Sequence, residues 1–361
     1  MKSNYDNLGR HIRLINGRNE NNITDKVIGI SINKEFMPSV ANVIGTDLSK
    51  YKLITKGKFA CNPMHVGRDE RLPVALYEED EPAIVSPAYF MFEVIDNKIL
   101  NEEYLMMWLR RAEFDRECWF HTDGSVRGGI VWDDLCRLEL PIPSIEKQKQ
   151  IVADYKAITN RIKLKKQIND NLEVAAHTVL QKKIDQNHSE TTVESILSLY
   201  DNMRKPMSSL DRSGMERIYP YYGAASLMDY VDDYIFDGIY GLIGEDGTVM
   251  DENGYPTMQY VWGKFWVNNH AHIFQGKNGY STEMVYLILK NTVVRNAVTG
   301  AVQLKINQEN LRNIPIYVPC EDDLAELNVV IDNMFIAIRE NQTEIEHLTN
   351  LKEILLAKLS D

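Results

Sequence analysis

The feature that most constrains this chain is that it repeats itself. At an offset of 176 residues, Gly124 falls on Gly300, Val126 on Val302, Ile130 on Ile306, Leu135 on Leu311, Leu138 on Ile314, Leu140 on Ile316 and Pro143 on Pro319. IVWDDLCRLELPIP thus matches INQENLRNIPIYVP, and each copy reads as a short helix (WDDL, NQENL) followed by an alternating strand that a proline stops. Two copies imply two similar units. After each proline comes a long run without Gly or Pro, one from Ser144 to about Ile184 and one from Glu321 to about Ser360.

Those runs predict helices. Steps of four and three pick out Ile151, Tyr155, Ile158, Ile162, Lys165, Asn169, Leu172, Ala176 and Val179 in the first. In the second they pick out Leu327, Ile331, Met334, Ile338, Asn341, Ile345, Leu348, Lys352 and Leu355. Seven of nine positions are apolar in each, over more than three heptads, which fits a coiled-coil seam better than a globular helix face. About 40 helical residues make a rod of roughly 60 Å. Charge says what each packs on. Segment 144–190 has nine basic and six acidic residues, and 320–361 has three and ten. Opposite signs favour pairing with each other over two helices lying on separate domains, so one antiparallel intramolecular pair is expected. Lys165, Asn169, Asn341 and Lys352 would fix its register at some cost in stability.

The expected organisation is therefore a first unit (1–143), a central helix (144–186), a second unit (187–319) and a C-terminal helix (320–361), with QNHSET (186–191) as a polar linker. Candidate strands at 26–32, 90–95, 260–267 and 270–274, and candidate helices at 101–119 and 281–298, make each unit α+β or mixed α/β. The 361 residues are enough for two or three domains. The N-terminus shows no apolar signal region and no stretch nears 18 uninterrupted apolar residues, so the expected compartment is the cytoplasm. Cys61, Cys118, Cys136 and Cys320 are too far apart in sequence for a metal clip and read as free thiols, mostly buried.

Catalytic motifs are missing: there is no GxxxxGK[ST], no GxGxxG after a strand, no HExxH and no GxSxG. Gly238, Gly241, Gly244 and Gly247 fit turns between short strands better than a phosphate cradle. NPMH (62–65) lacks the second proline and the aromatic ring of the Asn-Pro-Pro-aromatic motif of adenine-N6 methyltransferases. His270 and His272 would ligate a metal only if a third ligand converged, so no metal site is expected.

What remains are loops rich in residues that contact phosphates and base edges. In the first unit they hold Lys34, Lys56, Lys58, Asn62, His65, Arg68, Arg71 and Arg127, with Arg68 the first candidate for a bidentate base contact. In the second they hold Arg204, Lys205, Ser208, Ser209, Arg212, Tyr221, Tyr222, Lys264, Asn269, His270, Lys277 and Asn278. The net charge of −12 opposes unaided nucleic-acid binding, because phosphate neutralisation needs cations.

Taken in order, these residues resemble the specificity subunits of type I restriction-modification systems. The stretches that carry the likeness are GKFACNPMH (57–65), IVSPAYFMFEV (84–94), GGIVWDDLCRLELPIPSIEKQKQIV (128–152), YPYYGA (219–224), GLIGEDG (241–247) and FWVNNHAHIF (265–274). The resemblance implies two target-recognition domains that each read half of an asymmetric, bipartite duplex site, with the helices as a ruler between them. It also implies a chain without activity of its own that docks two methyltransferase subunits and, later, restriction subunits. S-adenosylmethionine, ATP and Mg2+ would belong to those partners, leaving no cofactor in this chain. A type IIB-like specificity subunit, or a coiled-coil adaptor that binds proteins and not DNA, are the alternatives.

Overall fold

The computed structural model describes residues 5–39, 45–64, 66–122, 128–300 and 303–360. They form two compact units, one made of 1–163 with 345–361 and the other of 164–344. Both are mixed α/β. Both contain part of a central helix, Ile145–Gln186, and part of a C-terminal helix, Glu321–Ala357.

In the first unit a four-stranded antiparallel sheet runs in the order Ile12–Ile15, Phe90–Val94, Phe59–Cys61, Val74–Leu76. Its core stacks Phe59 on Phe92 at 4.8 Å and takes in Trp108, Phe114, Leu135 and Leu140. The helix expected over 101–119 is two helices, Glu102–Leu109 and Ala112–Phe120, because Arg111 between them is extended (φ −71, ψ 144). That break turns Asp115 inward, where it accepts the Leu72 N–H at 3.0 Å. Ile28–Ile30 is shorter than the strand expected over 26–32.

In the second unit the strands lie in the order Leu197–Leu199, Ala271–Gly276, Phe236–Gly244, Met258–Val267, Tyr219–Tyr222, Leu227–Val231. Among the described residues of this sheet, only Tyr219–Tyr222 and Met258–Val267 are parallel. Helix Thr282–Lys290 packs its buried face on this sheet. It ends sooner than the expected 298 because Asn291 and Thr292 cap the carbonyls of Leu287 (2.9 Å) and Ile288 (2.7 Å).

The repeat forms the same motif twice. Helix Trp132–Arg137 leads into Glu139–Pro141, which pairs antiparallel with Tyr5–Asn7. Helix Gln308–Arg312 leads into Pro315–Pro319, which pairs antiparallel with His188–Thr192. The supposed linker at 186–191 is therefore mostly strand: its polar side chains, half-buried Thr191 apart, stay exposed while its backbone pairs.

The helices pair antiparallel inside each unit. In the second, Lys183 meets Asp323 at 2.8 Å while Lys165 meets Asn341 at 2.7 Å and Glu344 at 2.9 Å. Asn341 also donates to Asn169 at 2.8 Å, so three of the four polar seam residues form one layer. Val179, Leu327, Ile331, Met334 and Ile338 join one core there, and Ile151, Tyr155 and Leu355 join that of the first unit. Ile345 is buried, and Ile158, Ile162, Leu172 and Leu348 are half-buried, so every apolar seam position is sheltered.

Gly238, Gly241 and Gly244 lie within one nine-residue strand and not in turns. A Cβ at Gly241 would stand 2.1 Å from the Phe274 ring, so close packing requires the glycine. Gly247, at φ +79, does sit in a turn. Cys61 and Cys118 are buried and free, and burial pushes both thiols far above the usual range; Cys136 and Cys320 are half-buried.

Candidate nucleic-acid interface

Several candidate contact residues are occupied inside the fold. Lys34 is 4% exposed in a left-handed turn (φ 63), its ammonium on Asp115 at 2.7 Å and on the Leu109 carbonyl, 5.0 Å from the Phe114 ring centroid. Burial lowers its pKa, and Asp115 opposes the shift. Lys34 is therefore a buried counter-ion, which corrects its place among the contact residues. Lys58 pairs with Glu93, which also holds Arg13 at 2.6 Å, and Lys56 pairs with Asp80 at 2.6 Å. Asn62 accepts the Met64 N–H at 3.2 Å, which shapes its own loop. His65 and Arg127 lie outside the described residues, as does the side chain of Arg68 in helix Val66–Asp69. Arg71 is exposed on a cleft of about 830 Å³ whose other walls include Arg110, Asp115, Tyr155 and Lys352.

In the second unit Arg204 is a structural cation. It contacts Glu245 and the Ala271 carbonyl at 2.6 Å each, and Asp201 at 3.5 Å. Tyr221 is 1% exposed, its hydroxyl accepting the Met207 N–H at 3.1 Å under the Arg212 guanidinium, so it is a core residue and not a contact. Arg212 in turn holds Asp229 at 3.1 Å. Ser208 caps helix Ser209–Arg212 in a reciprocal box with Asp211. His270 pairs with Asp246 at 2.5 Å, and Asn278 donates to the Ser195 carbonyl at 2.8 Å. Lys205, Ser209, Lys264 and Asn269 are exposed, and Tyr222 and Lys277 half-buried.

Two carboxylates, without His270, converge on His272: Asp201 and Glu245 place ligand atoms within 4.8 Å of it and of each other. The ring is already spent. Nδ1 meets Asp201 at 2.5 Å and Nε2 the Ile306 carbonyl at 2.9 Å, while Gln308 shares that Asp201 oxygen, the Ile273 N–H takes the other, and Arg204 and Lys305 hold Glu245. The buried imidazole and the two carboxylates thus form one hydrogen-bonded network with Gln308, Arg204 and Lys305. Burial would raise the Asp201 carboxyl's pKa, but the His272 contact and the Ile273 N–H outweigh it and hold it below the usual range.

The hairpin Tyr219–Tyr222/Leu227–Val231 exposes the Tyr230 ring, and the adjoining end of strand Met258–Val267 exposes Lys264. Arg217 lies 5.4 Å from the Tyr230 ring, and Lys264 lies 4.5 Å from that of Tyr234. Leu227 and Met228 are exposed beside them. Neither Arg217 nor Tyr230 is among the residues that the sequence singles out. The usable signal was YPYYGAASLMDYV itself, two short alternating runs around a glycine.

The model of the type I restriction-modification DNA specificity domain matches residues 73–174 and again 192–355, together well over half of the chain. The chain belongs to the type I restriction-modification specificity family. A Haemophilus influenzae protein that bears the name of a type I restriction enzyme specificity subunit is 34% identical over 157 residues, 43% of this chain and 40% of that protein. The chain thus aligns with less than half of that relative's length. The crystal structure of a type I restriction-modification S subunit from M. genitalium is similar in fold, with a TM-score of 0.57 at 14% identity over 99% of this chain and 96% of that one. In this specificity-family chain the two matched stretches fall one on each copy of the repeat, and among the described residues no helix is long and apolar enough to cross a membrane.

Proposed function

We propose that this chain is the non-catalytic subunit that selects the DNA sequence for a type I restriction-modification complex. Each unit reads half of an asymmetric bipartite duplex site, and the helix pair shared by both units sets the gap. The observation that carries this reading is the duplication: the same helix, strand and partner strand close each unit, and each copy falls within its own match to the DNA specificity domain. Methyltransferase and restriction subunits are its partners; S-adenosylmethionine, ATP and Mg2+ belong to them, and the complex works in the cytoplasm. Arg71, Lys205 and Lys264 keep exposed side chains, Tyr222 and Lys277 half-buried ones, and these five are the contact residues this reading retains.

The charge balance supports dependence on partners. With a net charge of −12 and many cations already paired, the isolated chain binds duplex DNA weakly and loses it steeply with salt. Selection from a random duplex library, using this chain with the methyltransferase encoded beside it at fixed salt, tests the proposal. A split motif with a constant gap is expected. No enrichment by an intact complex would favour a protein-binding adaptor instead.

A further inference from the structure

Strand Met258–Val267 carries the exposed hairpin of the second unit. In the sheet order, Tyr219–Tyr222 and Leu227–Val231 lie beyond it at the edge, so among the described residues it is their only strand link to the rest of the unit. Tyr221 and Tyr222 pair with Trp266 and Val267. Gln259 donates to the Gly223 carbonyl at 2.9 Å, and the Trp266 indole to the Lys205 carbonyl at 2.6 Å. The hairpin and the segment around Lys205 therefore sit where this strand puts them.

The strand is in turn fastened to the C-terminal helix at one buried point. The Tyr260 hydroxyl donates to Glu283 at 2.8 Å and accepts from Arg339, whose guanidinium also meets Glu283 at 2.9 Å. The Glu283 side chain is 6% exposed and that of Arg339 18%. Phe335, one helical turn before Arg339, packs edge-on against the Tyr260 ring at 4.8 Å, and Tyr286 packs beside both, 5.6 Å from Tyr260 and 6.1 Å from Phe335. Such a closed arrangement admits few alternatives, because any shift of the strand leaves a buried charge or hydroxyl unpaired. Tyr260, Trp262, Lys264 and Trp266 alternate onto one face of the strand, so the anchored ring and the exposed Lys264 share that face.

We propose that Arg339 is a positioning residue for sequence selection: through Glu283 and Tyr260 it fixes strand Met258–Val267, and so the place of the hairpin that reads the second half-site. This rests on the DNA-selecting role proposed above. Nothing in the local chemistry requires a charged lock here if the helix merely supports the sheet, since apolar packing of Phe335 and Tyr286 would do that.

The test repeats the library selection with the assembled complex, each half-site being assigned to a unit by cross-linking through photoreactive bases. Tyr260→Phe keeps the ring and the ion pair and removes only the hydroxyl; Arg339→Met removes the cation, and Arg339→Lys retains it. Tyr260→Phe and Arg339→Met are expected to cut discrimination at the second unit's half-site roughly tenfold, leaving the other half-site and assembly unchanged, with Arg339→Lys restoring most of the loss. Wild-type discrimination in Tyr260→Phe and Arg339→Met would overturn the proposal, as would equal relaxation of both half-sites with a lowered melting temperature. If the wild-type complex selects no split motif, the DNA-selecting role itself fails, and the positioning role with it.

Discussion

Lys34 and Arg71 are both cations in loops of the first unit, yet they have opposite prospects. Lys34 neutralises Asp115 in the interior, and Lys34→Met strands that carboxylate, which should cost about 3–5 kcal/mol in a denaturant titration. Arg71→Ala touches only solvent-facing surface and should stay within about 0.5 kcal/mol of wild type while weakening DNA retention by the complex. Asp201 gives a pH signature. Its pKa is depressed in the fold, so its stabilisation is complete above the unfolded value of about 3.9 and disappears as pH falls through the folded one. Asp201→Asn should lower stability at pH 7 by about 3 kcal/mol and flatten the acid limb of a stability-against-pH curve. An unchanged acid limb would mean that the buried network does not govern acid unfolding.

At the scale of elements, strand Phe236–Gly244 and the helix pair make separate demands. Gly241→Ala forces a methyl group into the Phe274 ring and should destabilise by about 1–3 kcal/mol, seen as a lower melting temperature. The helix pair behaves in the opposite way. Its Lys165, Asn169 and Asn341 layer buries polar groups that satisfy one another, and Asn341 is buried. Replacing all three with leucine should raise the melting temperature while removing the interaction that fixes register. A lower melting temperature in the triple variant would show the layer to be stabilising in itself.

For the whole molecule, the proposed ruler makes one prediction that no local model shares. Removing four residues, about one helical turn, from 155–175 should change the preferred gap between half-sites and leave the half-sites themselves unaltered. An unchanged gap in the selected motif would remove the helices from that role. The acidic balance belongs to this scale too: under the proposed function, adding the methyltransferase partner should tighten specific binding and alter its salt dependence, because neutralising the duplex phosphates then calls on cations beyond this chain's own.

The duplicated layout, the helix–strand–proline motif that closes each unit, and the helical seam with its polar layer are legible along the chain. These rest on periodicity, which acts over a few residues and is written along the chain: Ile151 and Tyr155 share a face whatever lies opposite. Which cations face solvent is settled by packing between distant elements. Lys34 is paired with Asp115, Arg204 with Glu245 and Lys58 with Glu93, partners far apart in sequence that meet because sheets and helices pack. The same is true of the strand glycines, whose need for space comes from Phe274 on a neighbouring strand, and of Arg339, whose partners Tyr260 and Glu283 lie in other elements. Alternation and helical spacing indicate which side chains point the same way. Long-range packing decides what each of them meets.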